Sequence, residues 1–412
     1  MPSDANPSAP HAPWIADRLD VRVAQGRVES AQLAGLVEAL AALHAAAGCT
    51  PVPASSLAER GALARASVAE LAPSLGAAAG ACERALEAAV EASGAALAAR
   101  RDAPRRLHGR LACEEIHVDP AGRAELGAPA RSAAGDPCED VATLALELAA
   151  RGRADLALRL VGGYAGRTGD FSLYRVLDAY LALAGLLASQ RVLAAAAAGA
   201  DPARAAAARL LAAPAELAAP AREPFVVAVA GGIASGKSTL AARISASCGA
   251  PVASADAARA GGLAGLEPEA QQAAYAEMRQ RAAEVLASGR PVVVDACFAR
   301  RVQRDALRSL AGERGAKFLF VECRADAALT RRRLEERARG QGRPARDWLA
   351  LRERLLASWE PLRELPREQH LVVDTSRDPS LCLPRIERAL GRGAPGPHRV
   401  RHDFPKRAIL HA

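Results

Sequence analysis

The feature that most constrains this chain is a glycine-rich stretch in its second half. Residues 231–238 read Gly-Gly-Ile-Ala-Ser-Gly-Lys-Ser and match the phosphate-binding pattern G-x-x-x-x-G-K-[ST]. The apolar residues 225–230 before it predict a buried strand, and residues 239–244 after it predict a helix. A P-loop needs this context, because its backbone N–H groups wrap around phosphate oxygens at the start of a helix. The alternative is a chance glycine-rich turn.

The pattern gives its positions separate chemical roles. Lys237 supplies a point charge for the β- and γ-phosphates, and Ser238 supplies a hydroxyl ligand for Mg²⁺. The 54 Lys and Arg residues include only three lysines, Lys237, Lys317 and Lys406, so lysine stands where a P-loop requires it. No N-K-x-D motif typical of GTP binding is present. We therefore expect ATP and Mg²⁺ as ligands. The cofactor-binding residues expected from the pattern are Gly231, Gly232, Ile233, Ala234, Ser235, Gly236, Lys237, Ser238 and Thr239.

Composition narrows the remaining classes. The 412 residues predict two or three domains, and the net charge of +8 fits either a partner rich in phosphate or a general bias toward arginine. The eight cysteines are scattered without C-x-x-C spacing, which favours reduced thiols and a cytoplasmic protein over a zinc site or a disulfide framework. The most apolar stretch, residues 177–193, is interrupted by Asp178, Gln190 and Arg191 and predicts a buried helix rather than a membrane span.

Two carboxylates follow predicted strands of the C-terminal half. The valine run before Asp295 is typical of a central parallel strand that ends in a Walker B carboxylate, so Asp295 is the candidate Mg²⁺ residue. Asp256 and Arg259 follow the strand at 251–254 and should face the γ-phosphate side, because ligands bind beyond the carboxyl ends of parallel strands. Asp295 as a helix cap, and Asp256 as a helix cap beside a surface arginine, are the alternatives.

These motifs resemble those of P-loop kinases that act on small molecules and polynucleotides. The resemblance implies that Asp256 accepts the proton of the acceptor hydroxyl, and that Arg259 holds substrate or phosphate. The R-L-x-x-R core at Arg333 and Arg337 resembles the arginine-bearing lid of such kinases, which neutralises the transferred phosphate. Glycines at 340 and 342 would let this lid close, although an ordinary basic helix is the alternative.

Two further segments carry weaker predictions from the same resemblance. The V-D-T at 373–375 places Asp374 and Thr375 near the nucleotide base. Arg300, Arg301 and Arg304 follow Asp295, and one of them is a candidate substrate contact, with a solvated helix face as the alternative.

The first half is predicted to be mostly helical. Residues 28–47, 67–72 and 77–101 have helical patterns, residues 107–126 predict a short hairpin, and helices resume after Asp136. The run from Leu107 to Ile116, followed by a turn and the segment 136–144, resembles the C-lobe of aminoglycoside-phosphotransferase-type kinases. In that family the loop reads H-G-D-x-H-x-x-N.

The match fails where the family has its catalytic groups. Arg110 stands at the base position, Ala112 at the second histidine, Glu115 at the asparagine, and Gly127 near the expected metal-binding aspartate. No lysine precedes Lys237. The resemblance therefore implies a truncated, inactive domain in which His108 and Asp140 persist to anchor a loop and a helix start.

Taken whole, the α/β chain resembles the proteins known as bifunctional aminoglycoside phosphotransferase-like, AAA-type ATP-binding proteins. The C-terminal part is expected to be a P-loop domain with a doubly wound parallel sheet, preceded by a helical domain resembling a protein-kinase C-lobe. The expected divisions are a disordered start at 1–14, the helical domain at 15–200, an Ala/Pro linker at 201–223, the P-loop domain at 224–392 and a basic tail at 393–412.

The leading functional hypothesis is a phosphotransferase that uses ATP and a small-molecule hydroxyl acceptor. A polynucleotide 5′-hydroxyl kinase is the second, favoured by the basic charge but not by the scarcity of aromatic residues for base stacking, which are 3% of the chain. A nucleotide-dependent regulatory or scaffold ATPase without an acceptor is the third. The sequence does not determine the oligomeric state.

Overall fold

A computed structural model describes most of the chain. The described residues are 17–45, 56–101, 104–109, 111–128, 133–196, 200–218, 224–258, 268–340 and 344–391. The predicted terminal segments, 1–14 and 393–412, fall outside these ranges, as do Arg110, Arg259 and Gly342 of the predicted lid.

Helices and short strands form the first half. They are α1 Leu19–Ala24, α2 Ser30–Ala45, α3 Leu57–Leu71, α4 Gly76–Arg101, β1 Arg105–Leu107, β2 His117–Val118, β3 Ala124–Glu125, β4 Ala133–Gly135, α5 Cys138–Ala150, α6 Ala154–Thr168, α7 Leu177–Ala195 and α8 Asp201–Ala218.

Strands and helices alternate in the second half, as a parallel sheet requires. They are β5 Phe225–Ala230, α9 Lys237–Cys248, β6 Val252–Ser254, α10 Ala255–Ala258, α11 Pro268–Ala287, β7 Val292–Asp295, α12 Arg301–Glu313, β8 Lys317–Arg324, α13 Ala327–Gly340, α14 Ala345–Ala357, β9 His370–Asp374 and α15 Leu383–Ala389.

The second half has a five-stranded parallel sheet with helices on both faces. Its strand order is β6-β7-β5-β8-β9, and all six residues of β5 are buried. One face packs against α11 and α12 through Val226, Ala228 and Phe320, and the other packs against α9 and α15 through Val227 and Val321. Both faces of the strands are covered, which explains their continuous apolar runs. The predicted doubly wound sheet is confirmed.

The first half is predominantly helical, with two small antiparallel strand pairs. The predicted hairpin is present as β2 and β3. The predicted helices are also present, and α3 begins earlier in the chain than predicted. Asp140, in the first turn of α5, accepts hydrogen bonds from the backbone N–H of His108 (2.6 Å) and Gly109 (3.0 Å). His108 Nε2 lies 2.7 Å from the carbonyl oxygen of Gly127. These contacts anchor the loop after β1, the structural role expected for His108 and Asp140.

The predicted linker at 201–223 is wrong for its first eighteen residues. Residues 201–218 form α8, which packs on α7 and buries Ala207, Leu210 and Leu211. Pro214 lies inside this helix, where a proline removes one backbone hydrogen bond and usually kinks or ends the helix. The helix continues because Pro214 packs directly against Gly185 of α7, where only a residue without a side chain leaves room. Residues 219–223 lie outside the described ranges.

Helix α7 is long and apolar enough to cross a membrane by length and composition alone. Of its most apolar window, 67% is buried inside the protein, against neighbouring helices of the first half. It is therefore a core helix, as its interrupting polar residues predict.

The two halves pack closely on each other. Gly249, which ends α9 with φ +71°, lies so near α6 that a Cβ there would meet the Leu158 side chain at 2.6 Å. The Arg281 guanidinium of α11 lies over the Phe171 ring, 5.6 Å from its centroid. Arg290 is buried and donates to Asp178 at 2.5 Å and to the carbonyl oxygen of Leu217 at 3.3 Å. The first half thus contacts the end of the P-loop helix α9, the helix α11 and Arg290, which lies just before β7.

The buried Arg290 pair should contribute more to stability than an exposed pair in the same interface. We expect Arg290→Met to lower the free energy of unfolding by about 2 kcal/mol, because it removes charge-assisted hydrogen bonds from a buried position. Urea denaturation followed by circular dichroism measures the change. Arg175→Met is the matched control, since its 3.3 Å pair with Glu284 leaves Arg175 44% exposed, and it should cost less than about 1 kcal/mol. Equal losses would contradict this interpretation of the interface.

Candidate functional site

The P-loop leaves the carboxyl end of the central strand β5 and enters α9. Its backbone has positive φ at Gly231 (+144°), Ala234 (+60°) and Gly236 (+85°). A Cβ at Gly231 would lie 2.6 Å from the carbonyl oxygen of Cys323 and 2.7 Å from Ser235 Oγ, so this position requires glycine. Ala234 is a non-glycine residue in the left-handed region, which the sequence pattern does not reveal. The loop therefore has a tightly specified backbone that opens at the N-terminus of a helix.

Two polar side chains of the loop are held at its centre. The Lys237 ammonium donates to the carbonyl oxygen of Gly232 at 2.9 Å, which keeps it inside the loop. Ser235 Oγ is buried and makes no hydrogen bond within the described part of the chain. Both groups lie where phosphate oxygens bind in a loop of this sequence.

Asp295 ends β7 at the same edge of the sheet. It stands opposite Val229 of β5 and Ser254 of β6, so the expected meeting of these strand ends is present. The side chain is buried, and its Oδ1 has no hydrogen-bond partner among the described residues. Burial raises the pKa of Asp295, the Lys237 ammonium and the Ser238 hydroxyl act in the opposite direction, and the Asp256 charge raises it further. Lys237, Ser238 and Asp256 therefore all lie close enough to influence this carboxylate.

Asp256 lies in the first turn of the short helix α10 and is exposed. It directly follows β6, whose last residue Ser254 pairs with Asp295, so Asp256 lies at the same edge of the sheet. Arg259, the predicted partner of Asp256, lies outside the described residues. The proton-accepting role of Asp256 and the substrate role of Arg259 remain predictions.

Thr375 and Arg333 support the P-loop from outside. Thr375 is fully buried, and its hydroxyl hydrogen-bonds to the carbonyl oxygens of Ser235 (2.5 Å) and Arg324 (2.9 Å). The Arg333 guanidinium donates to the carbonyl oxygens of Ala234 (3.3 Å) and Thr375 (3.2 Å). Sequence reasoning placed these residues near the nucleotide base and on the transferred phosphate. In this structure both hold P-loop backbone.

Asp374 and Arg337 point to other partners. Asp374 is exposed and accepts a hydrogen bond from the Ser376 backbone N–H at 2.8 Å, which holds the pKa of Asp374 below its usual range. The Arg337 guanidinium lies over the Trp348 ring, 4.7 Å from its centroid. Arg333 and Arg337 therefore contact different partners, although both lie on α13 as predicted.

The α13–α14 hairpin packs on the P-loop through an apolar cluster. Ile233 of the loop contacts a cluster formed by Leu334, Ala338, Trp348 and Leu351. This contact fixes the hairpin beside the loop. No sequence signal marked Ile233 as the docking residue, because its position in the motif accepts any residue.

Arg304 is not a substrate contact. It is fully buried, pairs with Glu364, and donates to the carbonyl oxygens of Phe298 and Ala299 at 3.0 Å each. The helical spacing of Arg300, Arg301 and Arg304 suggested one basic face. The deeper position of Arg304 on α12 arises because the segment after α14 folds back over it and supplies Glu364.

The residues present at this edge fit a nucleotide triphosphate and its metal ion. Asp295 Oδ1 and Ser235 Oγ are buried polar atoms without a described partner, next to a lysine and the N-terminus of α9. Within the described ranges, no group of three or more His, Cys, Asp or Glu side chains could hold a metal ion alone. This is compatible with Mg²⁺, which commonly binds one or two carboxylates together with substrate phosphates and water.

Comparison with known proteins locates a family domain at this site. Residues 226–362 match the family model described as an AAA domain. The match runs from β5 past α14 and includes the P-loop, Asp256, Asp295 and the two α13 arginines, whereas the helical half lies outside it. No curated protein matches the chain.

Several solved structures are similar to the C-terminal half. A sugar kinase from a Janibacter species is 23% identical, with 42% of this chain and 99% of that one covered and a TM-score of 0.34. A gluconokinase from Sinorhizobium meliloti is 24% identical (42% and 94% covered, TM-score 0.33). An APS kinase from Mycobacterium tuberculosis, solved with AMPPNP and APS, is 19% identical (41% and 98% covered, TM-score 0.30). Residues 226–362 are therefore similar to an AAA domain, and the parallel sheet with its P-loop gives this region an α/β fold.

Proposed function

We propose that the C-terminal domain is a phosphotransferase that moves the γ-phosphoryl group of ATP to a hydroxyl of a small-molecule acceptor. The observation that carries this proposal is the buried Asp295 with an unpartnered oxygen, at the strand end beside the lysine and serine of a complete P-loop. A buried carboxylate oxygen without a partner is costly, and its pairing with a bound cation would offset that cost. The AAA-domain match over the same residues supports the proposal.

The chain's own residues would divide the work. When bound, ATP supplies the phosphoryl group and Mg²⁺ neutralises its charge. The P-loop backbone and Lys237 bind phosphate, and Ser238 and Asp295 hold the metal ion. Asp256 Oδ would accept the proton of the acceptor hydroxyl while the hydroxyl oxygen forms a new bond to the γ-phosphorus. The bond between that phosphorus and the bridging oxygen of ATP would break at the same time, and ADP would leave. Arg337 and Arg259 stabilise charge on the phosphate side.

The helical half is proposed to lack phosphotransfer chemistry of its own. His108 and Asp140 are used for loop anchoring, and Ala112, Glu115 and Gly127 occupy the positions where the resembled kinases carry catalytic groups. We propose a cytoplasmic location as part of the same function, because reduced cysteine thiols and the use of ATP both fit that compartment.

A regulatory ATPase is the second candidate, and the packed interface between the halves favours it. The Arg290–Asp178 pair and the α6–α9 contact would transmit a change in the nucleotide site to the helical half. This function predicts ATP hydrolysis that no acceptor stimulates.

The test of the proposed function is transfer to an acceptor that depends on Lys237. Purified protein is incubated with ATP, Mg²⁺ and a pooled bacterial metabolite extract, and mass spectrometry detects compounds that gain one phosphate. We expect a product that Lys237→Ala abolishes, because the substitution removes the charge that binds the β- and γ-phosphates. Lys317→Ala is the control, since Lys317 begins β8 and therefore lies at the end of the strand that is away from the P-loop. ATP hydrolysis without a phosphorylated product would favour the regulatory ATPase instead.

Asp295 should reduce stability in the ligand-free protein and be required for activity. Its folded-state pKa is raised, so the ionised form is penalised above that pKa and the penalty disappears as the pH falls through it. We expect Asp295→Asn to raise the melting temperature by roughly 2 °C at neutral pH, with the gain shrinking on acidification, and to abolish Mg²⁺-dependent turnover.

Thermal melts over a pH series measure this effect. Asp374→Asn is the control with the opposite sign, because the pKa of Asp374 is lowered by the Ser376 N–H, and it should not raise the melting temperature. A pH-independent gain for Asp295→Asn would contradict the electrostatic cause.

The two α13 arginines should affect different kinetic parameters. Arg333→Ala is expected to raise KM for ATP by roughly tenfold, because the P-loop loses its external support. Arg337→Ala is expected to leave that KM unchanged and to lower kcat by about 100-fold or more, as an arginine that acts on transition-state charge would. Steady-state kinetics with the identified acceptor measures both. Identical effects of the two substitutions would show that they share one role.

A further inference from the structure

Phe298, three residues after Asp295, has an unusual backbone. Its φ is +54°, and its side chain is fully buried. In the described part of the chain, Phe298 and Ala234 of the P-loop are the only non-glycine residues with positive φ. A bulky side chain disfavours this conformation, so it persists only where the surroundings impose it.

Contacts on both sides of Phe298 impose it. The Phe298 backbone N–H donates to the Tyr275 hydroxyl at 2.9 Å, and its carbonyl oxygen accepts from Arg304 Nη1 at 3.0 Å. Its ring stands edge-on to Tyr275 at 5.7 Å and to Phe320 at 6.0 Å. The residue is therefore held through its donor, its acceptor and its side chain at once.

Arg304 also ties this loop to the segment that follows α14. It pairs with Glu364, whose side chain is 2% exposed, and donates to the carbonyl oxygen of Pro361 at 3.4 Å. The Glu360 backbone N–H donates to the Ala299 carbonyl oxygen at 2.8 Å. The loop is consequently fixed to the base of the α13–α14 hairpin.

The other end of the same loop reaches the P-loop. The Cys297 carbonyl oxygen accepts a hydrogen bond from the Gly231 N–H at 3.3 Å. Cys297 lies between Asp295 and Phe298, so a rotation of Phe298 to negative φ would move this carbonyl away from Gly231. The left-handed residue thus couples the position of β7's last residues to the first residue of the P-loop.

We propose that Tyr275 and Arg304 are positioning residues of the phosphotransfer site. They hold Phe298 in its left-handed conformation, which keeps the Cys297 carbonyl on Gly231 and Asp295 beside Lys237. This inference rests on the proposed function and adds to it a supporting shell that the sequence motifs do not contain. A small displacement of a reacting group lowers the rate of a reaction that depends on the alignment of its reacting atoms, even when the ligand still binds.

Tyr275→Phe tests the proposal because it removes one hydroxyl and leaves the ring. We expect kcat to fall by roughly 10- to 100-fold with KM for ATP changed less than about twofold, since binding is retained and positioning is lost. The second readout needs no nucleotide. In Tyr275→Phe, the half-buried Cys297 thiol should react with iodoacetamide several-fold faster than in the wild type. Peptide mass spectrometry measures the rate, with Cys248 of α9 as the internal reference.

Tyr180→Phe is the matched control. Tyr180 and Tyr275 are similarly buried (7% and 8% exposed), and the Tyr180 hydroxyl makes no hydrogen bond to another described residue, so both readouts should stay at wild-type values. If Tyr275→Phe melts below the assay temperature, Glu364→Gln replaces it, because it weakens the anchor of Arg304 without touching Phe298. That variant should move both readouts in the same direction.

The outcomes separate this inference from the proposed function. Unchanged kcat in Tyr275→Phe, or unchanged Cys297 alkylation, overturns the positioning role. An equal loss in kcat and in nucleotide affinity also overturns it, since that pattern indicates a general loss of structure. If wild-type protein gives no Lys237-dependent product, the proposed function fails, and the alkylation rate by itself still decides whether Tyr275 restrains the loop.

Discussion

The site depends on one buried carboxylate that the fold does not satisfy by itself. Asp295 ends a strand with apolar neighbours, keeps one oxygen without a described partner, and has a raised pKa because burial penalises its charge. Folding alone would favour an apolar residue at this position. The nearby Lys237 and Ser238 reduce the penalty without removing it. The cost is understandable if a cation completes the site, which is why the carboxylate carries more weight for function than the P-loop pattern does alone.

Several hydrogen bonds from other segments hold the P-loop backbone next to this carboxylate. The P-loop is supported by Thr375 on one side, by Arg333 above Ala234, and by the Cys297 carbonyl at Gly231. Each of these three contacts is a hydrogen bond to a backbone carbonyl or N–H group of the loop. A preorganised loop does not have to reorganise when phosphate binds, so less of the binding energy is spent on ordering it.

The sequence predicted the parts of this site that follow from local patterns. Gly231, Lys237 and Asp295 could be located because a fixed motif and a strand-ending carboxylate have short-range signatures. The roles of Thr375 and Arg304 could not, because they depend on which carbonyl groups distant segments bring within reach. Arg304 has the spacing of a surface residue and is buried only because the chain after α14 returns with Glu364. The predicted linker failed for a similar reason, since the packing of Pro214 on Gly185 is a tertiary contact.

The interface between the halves gives the helical half a physical role that needs no chemistry of its own. Its helix α6 abuts Gly249 at the end of the P-loop helix, and its Asp178 holds Arg290 just before β7 begins. β7 in turn carries Asp295, and its neighbour β6 leads directly to Asp256. A domain that contacts the chain segments leading to both carboxylates constrains the spacing between Asp256 and Asp295.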